Sequence, residues 1–202
     1  MKKVIFTQRV EIIESYNERR DCADQNIANF ILKCGYCPIP IPNLPELVED
    51  YLHEVKPIGI ILSGGSNLAK YGGDTIERDE TEKRLVDFAL NNSIPVYGFC
   101  RGMQFILDYY KCSLNKISGH VAVKHNVSGE IGNRIVNSYH NYACTDIDEC
   151  MRNGVNVVAV SDDKIVEAIK VKDANIVGTM WHPERNIPFE ESDIEMLRCL
   201  FK

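Results

Sequence analysis

No apolar run in this chain approaches the roughly 20 residues needed to span a bilayer. Met1-Lys-Lys-Val-Ile-Phe-Thr-Gln8 is too short an apolar start for a secretory leader, so a cytoplasmic protein without membrane contact is expected. Basic excess is missing too. With 23 Lys and Arg against 29 Asp and Glu the net charge is −6, which argues against general nucleic-acid affinity. No Gly-Lys-Ser/Thr follows Ser63-Gly-Gly-Ser66, which excludes a phosphate-binding P-loop. Cys34-Gly-Tyr-Cys37 has no second CxxC to complete a four-thiolate zinc site and straddles a helix end. Structural cysteines are favoured there over redox or metal chemistry. The eight cysteines are scattered, as expected of reduced thiols. His120 and His125 lie five apart on a predicted hairpin strand, where a period of 2 sends them to opposite faces. That pattern predicts isolated histidines, as at His53, and no metal site. Linkers, repeats and low-complexity segments are absent, so residues 1–202 are expected to form one domain.

A chain of 202 residues with 45% hydrophobic content can bury a full α/β core. Lys3 to Thr7 reads as a strand, Asp24 to Lys33 as a helix closing at Gly35, and Cys37 to Pro42 as an extended edge. Leu44 to Val55 reads as a short helix, Ile58 to Leu62 as a buried strand, and Ile76 to Asn91 as a charged helix with Leu85, Phe88 and Ala89 inward. Beyond a helix starting near Met103 the pattern turns to strands: His120 to Val127, Ile131 to Tyr139, Val155 to Val160, Ile165 to Val171 and Ile176 to Trp181. Glu190 to Phe201 closes the chain as a helix. Alternating strands and helices followed by strands predict a three-layer α/β fold, a mainly parallel doubly wound sheet with an antiparallel extension.

The most informative segment is Tyr97-Gly-Phe-Cys-Arg-Gly-Met-Gln104. A β-prone stretch ends at Cys100 and a helix-prone one begins after it, with glycines two before and two after the cysteine. This is the layout of a nucleophile elbow, whose sharp turn brings strand and helix backbones too close for side chains. A thiol at a helix N-terminus is also tuned toward thiolate. The plain alternative is a buried structural cysteine between incidental glycines. Downstream, the strand-like Asn175 to Trp181 leads into His182-Pro183-Glu184. A cysteine nucleophile needs a base and the base an orienting acid, and Pro183 fixes a turn that lets Glu184 fold back on the imidazole. The catalytic candidates are thus Cys100, His182 and Glu184. Gly65, at the end of the strand beside the elbow, and Arg101 are candidates to hold an oxyanion through their backbone amides.

Four segments in this order resemble the class I glutamine amidotransferase superfamily: Ile61-Leu-Ser-Gly-Gly-Ser-Asn67, Gly98-Phe-Cys-Arg-Gly-Met-Gln104, Val136-Asn-Ser-Tyr-His140 and His182-Pro-Glu184. Arg101 after the cysteine and the Val-Asn-Ser-x-His run lean toward its γ-glutamyl amide hydrolase branch, which is peptidase C26-like. Tyr16-Asn-Glu-Arg-Arg-Asp21 and Gly35 to Pro42 are also similar to that branch. Trp181 departs from the usual Phe, a change that could reshape the pocket wall, and Tyr109 to Leu114 replaces a Gly-Gly turn. The resemblance implies a γ-glutamyl thioester on Cys100, release of glutamate, and no cofactor. It also implies that Gln104 and the Ser138-Tyr139-His140 stretch hold the α-amino and α-carboxylate groups. The expected partner is a small γ-glutamyl substrate, with a nucleotide phosphoramidate as leaving group. Arg19 and Arg20 are either its anion contacts or solvated charges. Alternatives are a glutaminase subunit feeding a separate synthase, a hydrolase of another γ-glutamyl amine, and a non-enzymatic relative. The intact Cys100, His182 and Glu184 set argues against the last.

Overall fold

The computed structural model describes all 202 residues. In chain order the strands are β1 (Lys3–Phe6), β2 (Arg9–Ile13), β3 (Glu18–Cys22), β4 (Cys37–Pro40), β5 (Gly59–Leu62), β6 (Val96–Phe99) and β7 (Asn115–Lys116). They continue as β8 (Val121–Gly129), β9 (Arg134–Tyr139), β10 (Tyr142–Ala143), β11 (Val155–Ser161), β12 (Val166–Val171) and β13 (Ile176–Thr179). The helices are α1 (Gln25–Lys33), α2 (Val48–Val55), α3 (Ile76–Asn92), α4 (Arg101–Tyr109), α5 (Ile147–Arg152) and α6 (Glu191–Leu200).

Nine strands form one sheet in the order β4-β1-β5-β6-β13-β12-β11-β8-β9. The first five are mutually parallel and the rest antiparallel, as the switch from alternating strands and helices to strands predicts. Alternation along the parallel strands builds two core layers. Val4 and Phe6 of β1 and Tyr97 and Phe99 of β6 pack with Phe30 and Ile31 of α1 and Ile194 and Leu197 of α6. Ile5 and Val96 point the other way, into a larger cluster with Leu52 of α2, Leu85 and Val86 of α3 and Ile106 of α4. Because β5, β6 and β13 are adjacent and parallel, their C-terminal ends open on one edge of the sheet. Such an edge is where open α/β sheets place their ligands.

Three local features depart from the pattern. Residues between β1 and α1 form an antiparallel hairpin, β2 with β3, pairing Arg9 with Cys22 through to Ile13 with Glu18. Its residues are exposed at most positions, so no buried face marks it in the sequence. Helix α5 is also unpredicted, although Asp146 caps it by accepting from the Glu149 amide at 2.9 Å, an Asp-x-x-Glu start that was readable. The third feature is a correction. The β8–β9 pairing slips between Val121 and Val123, and Ala122 there has φ of 57°. A bulge inserts one residue and inverts the parity of the strand beyond it. His120 and His125 therefore come together, with ring centroids 4.7 Å apart, instead of facing opposite ways.

Candidate active site

Cys100 lies at the junction of β6 and α4 with φ of 51° and ψ of −110°. For a residue with a Cβ this conformation costs about 1–3 kcal/mol and persists only where the surroundings enforce it. The enforcement is visible. The Cys100 amide donates to the Thr179 carbonyl at 2.7 Å, tying the elbow to β13. A Cβ on Gly102 would lie 2.0 Å from the Leu62 carbonyl oxygen, and one on Gly98 would lie 2.6 Å from Ile106 and 2.7 Å from the Gly102 backbone. Both positions need glycine because strand and helix cross there, as the motif requires.

His182 follows β13, and the turn Pro183–Arg185 brings Glu184 back beneath it. The His182 Nδ1–H donates to Glu184 Oε1 at 2.7 Å, in a site where both residues are buried. Asn137 of β9 clamps the histidine backbone: its Nδ2 donates to the His182 carbonyl at 2.8 Å and its Oδ1 accepts from the His182 amide at 2.9 Å. Phe99 and Tyr139 meet the imidazole edge to face, with centroids 5.6 Å away in each case. Burial alone would lower the imidazole pKa. The charge and hydrogen bond of Cys100 and the Glu184 carboxylate outweigh it and raise it to about 9. Cys100 and His182 thus share one wall of the site, an arrangement that can supply a nucleophile for a carbonyl and a proton for a departing nitrogen.

These groups line a cavity of about 200 Å³ whose wall also includes Gly65, Arg9 and Arg185. Gly65 adopts φ of 149°, and its amide has no acceptor within the protein. The Arg101 amide begins α4 and likewise lacks an intrahelical acceptor. The Arg101 side chain has a separate task. It is fully buried and pairs with Glu82 and Asp79 of α3. Glu82 also accepts from Arg78 Nε and Thr7 Oγ1, each at 2.9 Å. Arg78 in turn donates to the carbonyls of Ser63 at 2.7 Å and Gly64 at 3.1 Å. A buried ionic chain therefore fixes the loop that carries the Gly65 amide relative to the elbow. The charged pattern of α3 gave no sign that Arg78 and Glu82 turn inward.

The remaining candidates separate. Tyr139 reaches the cavity, and Arg185 stacks on its ring at 4.2 Å. Gln104 donates to the Tyr142 carbonyl at 2.8 Å and is not on the cavity wall. Ser138 and His140, alternating with Asn137 and Tyr139, turn away from it. The Ser138 hydroxyl donates to the His120 carbonyl at 2.7 Å, and His140 Nε2 lies 3.4 Å from Glu167 Oε1. Arg19 and Arg20 lie on β3, outside the cavity. Arg19 binds Glu77 and the Asp74 carbonyl, and Arg20 binds Glu18. The cations on the cavity wall are instead Arg9 and Arg185, to which the sequence patterns assign no task. Trp181 is buried away from the cavity, donating to Asp193 at 3.2 Å under the Arg134 guanidinium, so its departure leaves the pocket wall untouched.

The cysteine elbow and the histidine–carboxylate pair thus lie at the C-terminal edge of a sheet with the class I glutamine amidotransferase fold. The sequence profile of the peptidase C26 family matches residues 6–184, and the chain belongs to that family. Among its relatives is a gamma-glutamyl-CDP-amidate hydrolase of Campylobacter jejuni, 33% identical over 185 residues that cover 89% of this chain and 88% of the relative. A gamma-glutamyl-gamma-aminobutyrate hydrolase of Escherichia coli O157:H7 is 27% identical, covering 100% of this chain and 94% of the relative. The fold matches a GMP synthase-type protein of Thermoplasma acidophilum, with TM-score 0.70 at 18% identity, covering 100% of this chain and 93% of the other.

Proposed function

We propose that the protein hydrolyses a γ-glutamyl amide through Cys100, His182 and Glu184, releasing L-glutamate and an anionic amidate of the CDP-amidate type. The observation that carries the reading is the buried histidine–carboxylate pair, 2.7 Å apart, facing a cysteine held at positive φ on the wall of one cavity. The Cys100 thiolate attacks the γ-carbonyl, and the amides of Gly65 and Arg101 donate to the oxyanion. The His182 imidazolium gives its proton to the leaving nitrogen as the C–N bond breaks, which leaves a γ-glutamyl thioester. A water then gives its proton to His182 and attacks the thioester, and glutamate leaves with the thiolate restored. Glu184 keeps Nδ1 protonated so that Nε2 serves the thiol.

The choice of leaving group rests on the 33% identical hydrolase and on two cavity arginines suited to a phosphate-bearing group. Tyr139 and Arg185 would form the wall beside the leaving group. The Ser138 to His140 stretch remains a candidate for the glutamyl end through its backbone, and Gln104 of α4 through its hold on the Tyr142 carbonyl. Relatives that are glutamine-hydrolysing components of GMP synthases, one 29% identical over 149 residues, support a second reading in which ammonia passes to a synthase. Mass spectrometry of products from γ-glutamyl-CDP-amidate, γ-glutamyl-γ-aminobutyrate and glutamine, with purified protein alone, separates the two. Fast release of CDP-amidate with slow glutaminase activity is expected. Glutamine turnover that appears only on adding a synthase would overturn the hydrolase reading.

A further inference from the structure

On the side of β9 turned away from the cavity, three imidazoles and a carboxylate converge. His120 precedes β8, His125 lies within it, His140 follows β9, and Glu167 sits on β12. Glu167, His120 and His140 are almost completely buried, at 0%, 4% and 3% exposure. Glu167 Oε1 is 3.5 Å from His120 Nδ1, 3.3 Å from His125 Nε2 and 3.4 Å from His140 Nε2. None of these contacts has hydrogen-bond geometry. Both Glu167 oxygens, both His140 nitrogens, His120 Nδ1 and His125 Nε2 are buried without a hydrogen-bond partner. Leaving so many polar atoms unpaired in one place costs about 1–3 kcal/mol for each, a burden the fold would not carry unless something binds there.

The geometry states what that is. Four donors around an ion at about 2.05 Å define a tetrahedron with edges of about 3.3 Å, the separation zinc imposes on its ligands. The distances from Glu167 Oε1 to His120 Nδ1 and His125 Nε2 match that edge, and the donors of these three residues lie within 4.8 Å of one another, a set that His140 does not join. The outer groups fit as well. His120 Nε2–H donates to Asp163 Oδ2 at 2.9 Å, and the same carboxylate accepts from the Ser161 hydroxyl at 2.5 Å. With its proton on Nε2, His120 turns the lone pair of Nδ1 toward Glu167. Two acceptors then face each other across 3.5 Å, which is repulsive unless a proton or a metal cation lies between them. A carboxylate holding the far nitrogen of a ligand imidazole is the usual support of a metal-bound histidine.

We propose that His120, His125 and Glu167, with His140 beside Glu167, form a site for a zinc-class divalent ion. Two nitrogens and one oxygen, with water as a fourth donor, suit that class, and because the cluster lies on the side of β9 away from the cavity the ion is structural. It joins β8 and β12 directly behind Asn137 and Tyr139, the residues of β9 that clamp and pack His182. The proposal stands independently of the reaction assigned to Cys100.

The test is metal analysis of the purified full-length chain, followed by titration of chelator-treated protein with zinc chloride and cobalt chloride. About one equivalent of zinc is expected to co-purify, the melting temperature should fall on chelation, and cobalt should give the intense visible bands of a tetrahedral nitrogen and oxygen shell. His125→Ala and Glu167→Gln should weaken the ion at least tenfold, and Asp163→Asn, outside the ligand shell, by about 10–100-fold. Protein that neither retains zinc nor takes it up at micromolar concentration would overturn the site, whatever the variants do. So would a cobalt spectrum carrying thiolate charge-transfer bands, which would move the ion to cysteines such as the adjacent Cys144 and Cys150, 3.3 Å apart.

Discussion

Replacing Glu82 by Gln should destabilise the protein by about 3–5 kcal/mol, the cost of removing one partner from a buried ion pair. Glu82 is completely buried and accepts from Arg78, Arg101 and Thr7, while the only other carboxylate on Arg101 is the partly exposed Asp79. Gln keeps the shape but leaves two guanidinium groups facing a neutral amide. Their repulsion, already visible in Arg78, whose pKa is lowered to about 10 by burial and by Arg101, would then go unopposed. For a chain of this length each kcal/mol shifts the melting temperature by about 2–4 °C, so a drop of roughly 6–20 °C is expected. Urea denaturation with two independent probes measures the free energy, and Glu80→Gln on the exposed face of the same helix is the control, expected within about 0.5 kcal/mol of the parent. A second effect comes from the connection of Arg78 to the carbonyls of Ser63 and Gly64. The Gly65 amide should lose its fixed position, lowering kcat in the folded variant by about tenfold or more while KM stays nearly constant. A loss under 1 kcal/mol with unchanged kcat would refute the account of this network as the brace between elbow and loop.

Cys100→Ala should abolish turnover and leave the fold intact, and a γ-glutamyl-like electrophile should label Cys100 alone, as read by peptide mass spectrometry. His182→Asn should cost as much, whereas Glu184→Gln should retain partial activity, measured as kcat/KM on one substrate. The His182 imidazolium is raised to about 9 although burial opposes it, through Cys100 and Glu184. Its contribution to stability, on the order of 3 kcal/mol, is therefore complete below the unfolded value of about 6.5 and lost as pH rises through about 9. The alkaline limb of kcat/KM should fall in that same window, and Cys100→Ser should flatten the stability loss between pH 7 and 10 in urea melts. Arg9→Ala with Arg185→Ala should raise KM for a phosphate-bearing γ-glutamyl substrate at least tenfold and spare glutamine, whose leaving group is neutral, since a charge-assisted contact is worth about 1.5–3 kcal/mol. Arg19→Ala with Arg20→Ala should leave both substrates unchanged, because those side chains bind Glu77 and Glu18.

The features legible in the sequence share a physical origin. The elbow is written in the chain because steric contact at Gly98 and Gly102 admits no other residue type, and the His182 turn because Pro183 and Glu184 act on a neighbour two residues away. Strands β1, β5, β6 and β13 are short apolar runs whose burial on both faces dictates their composition. All of these are local constraints. The hairpin β2–β3 escaped because neither of its faces is buried, and Arg78 and Glu82 escaped because charges on a helix normally mark its solvated side. Their inward orientation depends on Arg101, a partner 19 residues beyond Glu82 that only the packing of α3 beside α4 supplies.

The histidines show the same limit most sharply. Period-2 reasoning separates His120 from His125, and it fails because of one residue, Ala122, whose positive φ no apolar pattern announces. Once the bulge restores their common face, His140 and Glu167 join them from β9 and β12, strands that are not neighbours in the sheet. Across the bulge the pairing places Ser138 opposite Val123 and Asn137 opposite Lys124, so β9 keeps its own alternation. Asn137 and Tyr139 face His182 while Ser138 and His140 face Glu167. Deleting Ala122 would remove the bulge and leave His120 and His125 four places apart in a regular strand, still on one face. The cluster behind β9 and the clamp in front of it use alternate residues of one strand, so a change that displaces β9 at His140 should also loosen Asn137 from the backbone of His182.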